Sequence, residues 1–342
     1  MCAAYAATTP IASHLAQASE SPLSLYETAL SAFQAGDYAN ALAEGKMAGL
    51  GGDVEAQIMV GHILMNGLAG PAQKNEAVDW YMKAAGSGND DAMVALGELA
   101  LGSYGGLSPS DAVKWLSRAA DKGRTDAMLA LADIYVVGKG TAPNRTIAQD
   151  WLVKADNFGD AKAKRKLGDL YFDTKPTEAL SWYEKAAASG DNDAAYIAAI
   201  MYAENYDIKP DANKAAKLLK QAALAGLPAA QADFGLVVYQ GNGTARSMDE
   251  AAKWFKKSAE NGDPEGQFLY AFTLAKGEGV KQSYEDAYYW LLRAEKAKPN
   301  NVADYDQSRS ELKKRLEANV DSAVLARARA RAFAHKASTT TK

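Results

Sequence analysis

Residues that could carry chemistry are few in this chain and poorly spaced for it. Cys2, His14, His62 and His335 are its only thiol and imidazoles, too far apart in sequence for a local metal motif or a nucleophile–base pair. A single cysteine also excludes a disulfide framework and a thiolate zinc site. Gly138-Lys-Gly140 and Gly277-Glu-Gly279 would cradle a phosphate if a strand preceded them and Lys-Ser/Thr followed; neither does. Both recur at one position of an internal repeat, so they read as connections. Lysines interleaved with aromatics, as in Trp80-Tyr-Met-Lys83, Trp182-Tyr-Glu-Lys185 and Trp254-Phe-Lys-Lys257, could stack a single nucleic-acid strand. That tryptophan is itself a repeat position, hence a packing residue, with the lysine expected on the opposite, solvated side. The chain therefore reads as a non-enzyme with no catalytic residue, no cofactor, no metal and no nucleic-acid partner.

Composition sets what must position any site. Lys+Arg number 38 against 42 Asp+Glu, a net charge of −4 that argues against a surface built for phosphate backbones. Of 342 residues 70 are Ala and only 10 Pro, the composition of packed helices. No apolar run approaches the ~18 residues of a transmembrane helix.

The helices repeat. Trp80, Trp115, Trp151, Trp182, Trp254 and Trp290 recur, with Leu219 assigned to the gap, at spacings of 35, 36, 31, 37, 35 and 36. Gly52, Gly88, Gly123, Gly159, Gly190, Gly226 and Gly262 run in phase. Small residues stand four after each glycine, as Ala56 and Ala92, and nine after it, as Gly61 and Gly97. Each unit reads as helix A, a Gly-rich connection, helix B and a left-handed glycine stop. The small residues are expected to let helix A approach its neighbours, and the Trp to fill the space between adjacent pairs. The unit with spacing 31 lacks the Gly-rich connection, which predicts a tight turn with Pro176 opening helix B.

Segments such as Gly235-Leu-Val-Val-Tyr-Gln-Gly-Asn-Gly243 and Asp249-Glu-Ala-Ala-Lys-Trp-Phe-Lys-Lys-Ser-Ala-Glu-Asn-Gly262 closely resemble the Sel1-like repeat (SLR), a tetratricopeptide relative. The resemblance covers 53–298 as seven units: 53–88, 89–123, 124–159, 160–190, 191–226, 227–262 and 263–298. It implies an all-α fold, a right-handed α-solenoid of stacked antiparallel helix pairs that binds proteins. Residues 23–52 resemble a degenerate first pair. Residues 299–335 resemble the family's closing helix, docked by Leu312, Leu316, Val320, Val324 and Leu325. Residues 1–22 and 336–342 flank the array. The β-lactam-related activities of cysteine-rich relatives are not carried over, because the cysteine pairs are missing here.

The resemblance also implies a concave groove lined by helix A. Its groove register gives His62, Glu98, Asp133 and Asp169 in the first four units, with Lys162 and Arg165 in the fourth and Glu55, Asp91 and Asp126 near helix N-termini, where acids suit the dipole. Later units give Tyr196, Ile200, Leu236, Tyr239, Phe268 and Phe272, so the row is expected to change from acidic to solvent-facing aromatic. A protein or peptide partner in that groove is the leading expectation, with a glycan or peptidoglycan module as the alternative. A second candidate surface is the basic run of Arg327, Arg329 and Arg331. Residues 1–19 carry no charge, and Ala16-Gln17-Ala18 fits a small-x-small cleavage site without a basic n-region. Export to a bacterial periplasm is the compartment expected, a cytoplasmic location the alternative.

Overall fold

The computed structural model describes residues 24–204, 206–296 and 303–339. The uncharged N-terminal segment and its cleavage-like site lie outside them. The described residues hold eighteen helices and no strand. They fall into two compact units, one of residues up to 127 with 139–142, the other of 128–138 with 143 onward.

The first unit holds three antiparallel pairs: α1 (Leu25–Gln34) with α2 (Tyr38–Leu50), α3 (Val54–Asn66) with α4 (Lys74–Gly86), and α5 (Asp90–Leu101) with α6 (Pro109–Asp121). Its grammar is local. Helix B of one pair ends at a glycine in the left-handed region, Gly52 at φ 97° and Gly88 at φ 90°. The next residue caps helix A: Asp53 accepts from Ala56 N–H at 2.8 Å, and Asn89 from Ala92 N–H at 2.9 Å. The small residue four after the glycine is thus the capped one.

In the second unit, α7 (Thr125–Val137) contributes its residues from 128 onward. There follow α8 (Arg145–Asn157), α9 (Ala163–Tyr171) with α10 (Pro176–Ala188), α11 (Asn192–Ala203) with α12 (Ala212–Leu224), α13 (Pro228–Gln240) with α14 (Met248–Glu260), and α15 (Pro264–Lys276) with α16 (Tyr284–Lys296). The same cap recurs, Asp191 to Ala194 N–H and Asp263 to Gly266 N–H. In the short repeat, Lys175 N–H bonds to Tyr171 O at 2.8 Å and α10 opens on Pro176, the tight turn expected.

The packing differs from expectation at two positions. The second small residue does not chiefly serve neighbouring pairs: it makes room for the helix B residue that follows the Trp. A Cβ on Gly61 would lie 2.8 Å from Tyr81, on Gly97 2.6 Å from Leu116, on Gly168 2.6 Å from Tyr183 and on Gly235 2.7 Å from Phe255. These follower residues are the buried ones. Trp80 and Trp254 are 5% and 7% exposed, but Trp115, Trp151, Trp182 and Trp290 are only half-buried. The register also corrects the gap-filling residue. Trp80, Trp115, Trp151, Trp182 and Trp254 each precede a repeat glycine by eight positions, which in the 191–226 repeat is half-buried Leu218; buried Leu219 takes the follower's place.

Nor do the lysines point away from the tryptophans. The cation three residues on lies over the ring in all six cases, from Lys185 at 3.9 Å from the Trp182 centroid to Arg293 at 4.9 Å from Trp290. Positions i and i+3 share a helix face, so the stem covers the half-buried ring while the charge stays wet.

The closing segment is two helices rather than one, α17 (Ala303–Asn319) and α18 (Ser322–Thr339). The break falls at Asp321, whose carboxylate accepts from Ala323 N–H at 2.8 Å. The expected stripe still docks: Leu316 and Leu325 are buried, and Leu312, Val320 and Val324 half-buried.

Candidate functional site

Each unit carries its own cavity on groove-register residues. In the first, His62 on α3 and Glu98 on α5 border an open cavity of about 510 Å³ together with Glu55 and Asp91. Its walls are apolar, with Leu30 and Phe33 from α1, Ile58 and Met65 from α3, and Val94 from α5. The His62 ring meets Phe33 edge-on at 6.1 Å, and its Nδ1 stands 3.2 Å from Asn66 Nδ2. Arg124 is the one cation on the rim, and it is engaged: it pairs with Asp91, with Asp126 at 2.7 Å and with Asp90 at 3.3 Å. Burial, then the charges of Glu98 and Asp91, hold the Tyr81 phenol beneath well above its ordinary range.

Within the second unit, the two groove-register aspartates are engaged. Asp133 is bound by Lys166 at 2.6 Å, and Asp169 accepts from the Tyr183 hydroxyl at 2.7 Å. Both carboxylates thus have partners within the second unit, as Asp91 and Asp126 have Arg124 within the first. Lys166 was not singled out from the sequence, although it is a charge at a register otherwise filled by Met59, Ala95, Ala130, Ile197 and Leu269. The other exception at that register is Asp233, and it too meets a groove residue, accepting from the Tyr196 hydroxyl at 2.8 Å. Burial first, then nearby Glu265, Asp263 and Glu204, push the Asp233 carboxyl up to about 6 against the opposing hydrogen bond.

The later apolar residues partly converge. Leu236 and Tyr239 from α13 and Phe268 and Phe272 from α15 line a cavity of about 330 Å³, whose far wall is Ser308, Glu311, Leu312 and Arg315 of α17. Phe268 corrects the expectation of solvent-facing rings: at 5% exposure it is a buried wall. Phe272 and Leu236 are half-buried, and Lys276 lies 4.4 Å above the Phe272 ring. The Tyr239 hydroxyl donates to Glu278 at 2.6 Å. Tyr196 and Ile200 are half-buried on α11 and do not line this cavity. That α17 completes it was not legible, because nothing in its sequence says which face of the array it crosses.

The basic run is not a free patch. Arg327 pairs with Glu285 at 2.9 Å, Arg331 with Asp286 at 2.8 Å, and Arg329 with Glu317 at 3.3 Å and the Tyr288 hydroxyl at 2.9 Å. Alternate arginines of α18 thus clamp it to α16 and α17. Among the described residues no group of three or more His, Cys, Asp or Glu is arranged to hold a metal ion, and no helix is long and apolar enough to cross a membrane.

The sequence profile of the Sel1 repeat matches seven times, at 54–89, 90–123, 125–155, 161–191, 192–227, 228–263 and 264–298. The chain belongs to the Sel1 repeat family. Sel1 repeat chains generally act as scaffolds for protein–protein interaction. Two solved structures carry the same α-solenoid fold. A Sel1 repeat protein from Oxalobacter formigenes has 25% identity and a TM-score of 0.68, with 84% of this chain and 86% of that one covered. The protective antigen c5321 of uropathogenic Escherichia coli, described as displaying an SLR fold, has 23% identity and a TM-score of 0.62; 89% of this chain is covered but only 66% of the antigen's length. No curated protein matches the chain.

Proposed function

We infer that this Sel1 repeat chain is a non-enzymatic adaptor that holds a segment of a partner protein in its helix A groove, with an apolar side chain of that segment seated in the cavity of the second unit. The convergence of Leu236, Tyr239, Phe268 and Phe272 on one cavity carries the reading. Its volume falls within the range of pockets that fix a ligand, and its walls are the aromatic and aliphatic kind that anchor interfaces. The uncharged N-terminal segment and the bacterial relatives support placing this role in the bacterial envelope.

The test uses the whole chain as bait in envelope extracts, beside Phe272→Ala, with captured proteins quantified. Phe272 is half-buried, so its loss should leave the helices intact, which circular dichroism checks. The expected result is a protein captured by the parent and depleted at least several-fold by the variant, with dissociation accelerated more than association slowed. Equal capture by parent and folded variant overturns the reading. Capture abolished by muramidase digestion replaces it with a peptidoglycan-linked one.

A further inference from the structure

We propose that the first unit carries a second, independent docking groove whose occupant is a cationic polypeptide segment with alternating apolar residues. The floor is apolar and adaptable: Phe33, Ile58, Met65 and Val94 are all half-buried, and an unbranched thioether such as Met65 can repack around different side chains. The rim is anionic. Glu55 and Glu98 are exposed and have no ion pair among the described residues, while Arg124, the only cation among the described residues lining the cavity, is held by three aspartates.

The occupant follows from these two features. A purely apolar ligand would leave the rim carboxylates beside it with weakened hydration, whereas a phosphate or nucleic-acid ligand would meet like charge. Lys or Arg side chains solve both problems, since their stems cover apolar floor while their heads reach the rim. Arg124 cannot donate its charge to an anionic ligand without abandoning three partners. An acidic segment is therefore selected against, and the groove discriminates by charge as well as by shape.

The experiment is fluorescence anisotropy on the full chain with three labelled synthetic peptides of equal length. One alternates Lys with Leu and Phe, one replaces the apolar residues with Ser, and one replaces Lys with Glu. The Lys/Leu/Phe peptide should bind roughly tenfold or more tightly than either control. Glu55→Gln/Glu98→Gln should reduce that affinity about tenfold at low salt, mainly by slowing association, with the difference shrinking at high salt. Val94→Thr should weaken the Lys/Leu/Phe peptide and leave the Lys/Ser peptide unchanged. Lys/Leu/Phe binding lost in folded Phe272→Ala would place that peptide in the cavity of the second unit and overturn the proposal. Equal binding of the Lys/Ser and Lys/Leu/Phe peptides, or full binding by the folded Glu55→Gln/Glu98→Gln variant, overturns the proposal.

Discussion

At the scale of single residues, Asp233 is a carboxyl that burial holds well above its ordinary range. Its native pKa of about 6 lies above the ~3.9 of an unfolded chain, so folding is helped while the carboxyl is protonated and loses that help as pH rises through 6. Asp233→Asn keeps an acceptor for the Tyr196 hydroxyl and removes the charge. The variant should match the parent near pH 4 and exceed it near pH 8 by roughly 1–3 kcal/mol. Urea unfolding at the two pH values measures this; a variant less stable at pH 8 would show that the ionised carboxylate is well compensated. The residue was legible as an oddity, a lone acid in an apolar register, but its meaning was not. Only the three-dimensional approach of α11 to α13 shows that it meets Tyr196. The pairing of Asp133 with Lys166 was hidden for the same reason, since it joins residues 33 apart.

Among elements, the repeat was readable because its grammar is local. A left-handed glycine, a capping side chain and a small residue all act within a few positions, and each leaves a mark at fixed spacing. What escaped was which partner each mark serves. Spacing places Gly168 in helix A without saying that it faces Tyr183, and the slip between Leu218 and Leu219 arose because both are apolar. Gly168→Ala therefore tests the interior of one pair. The added methyl would sit 2.6 Å from a ring pinned by its hydrogen bond to Asp169, an overpacking cost of about 1–3 kcal/mol against a gain in helix propensity of up to about 1 kcal/mol. A net fall in melting temperature is expected. A rise would mean that α9 and α10 separate without penalty.

For the whole molecule, the same arrangement limits how far damage spreads. Contacts run chiefly between consecutive helices, so stability should behave as a chain of neighbour terms rather than as one core. Amide hydrogen exchange of Gly168→Ala should show faster exchange in α9, α10 and the helices next to them, with α15 and α16 unchanged. Uniform loss of protection along the chain would contradict this.

The cap that restarts helix A in four of the repeats, at Asp53, Asn89, Asp191 and Asp263, has a consequence for how such a chain changes over generations. The repeats that begin at Asp53, Asn89, Asp191 and Asp263 each carry their own capping start and an end-to-end spacing close to that of the others. A crossover between equivalent points of two repeats would leave both junctions chemically whole, so units can be gained or lost without inventing a new boundary. The groove-facing positions are not part of that punctuation. Selection can rewrite them one repeat at a time, which lets a lineage trade binding partners while the reading frame of its architecture stays fixed.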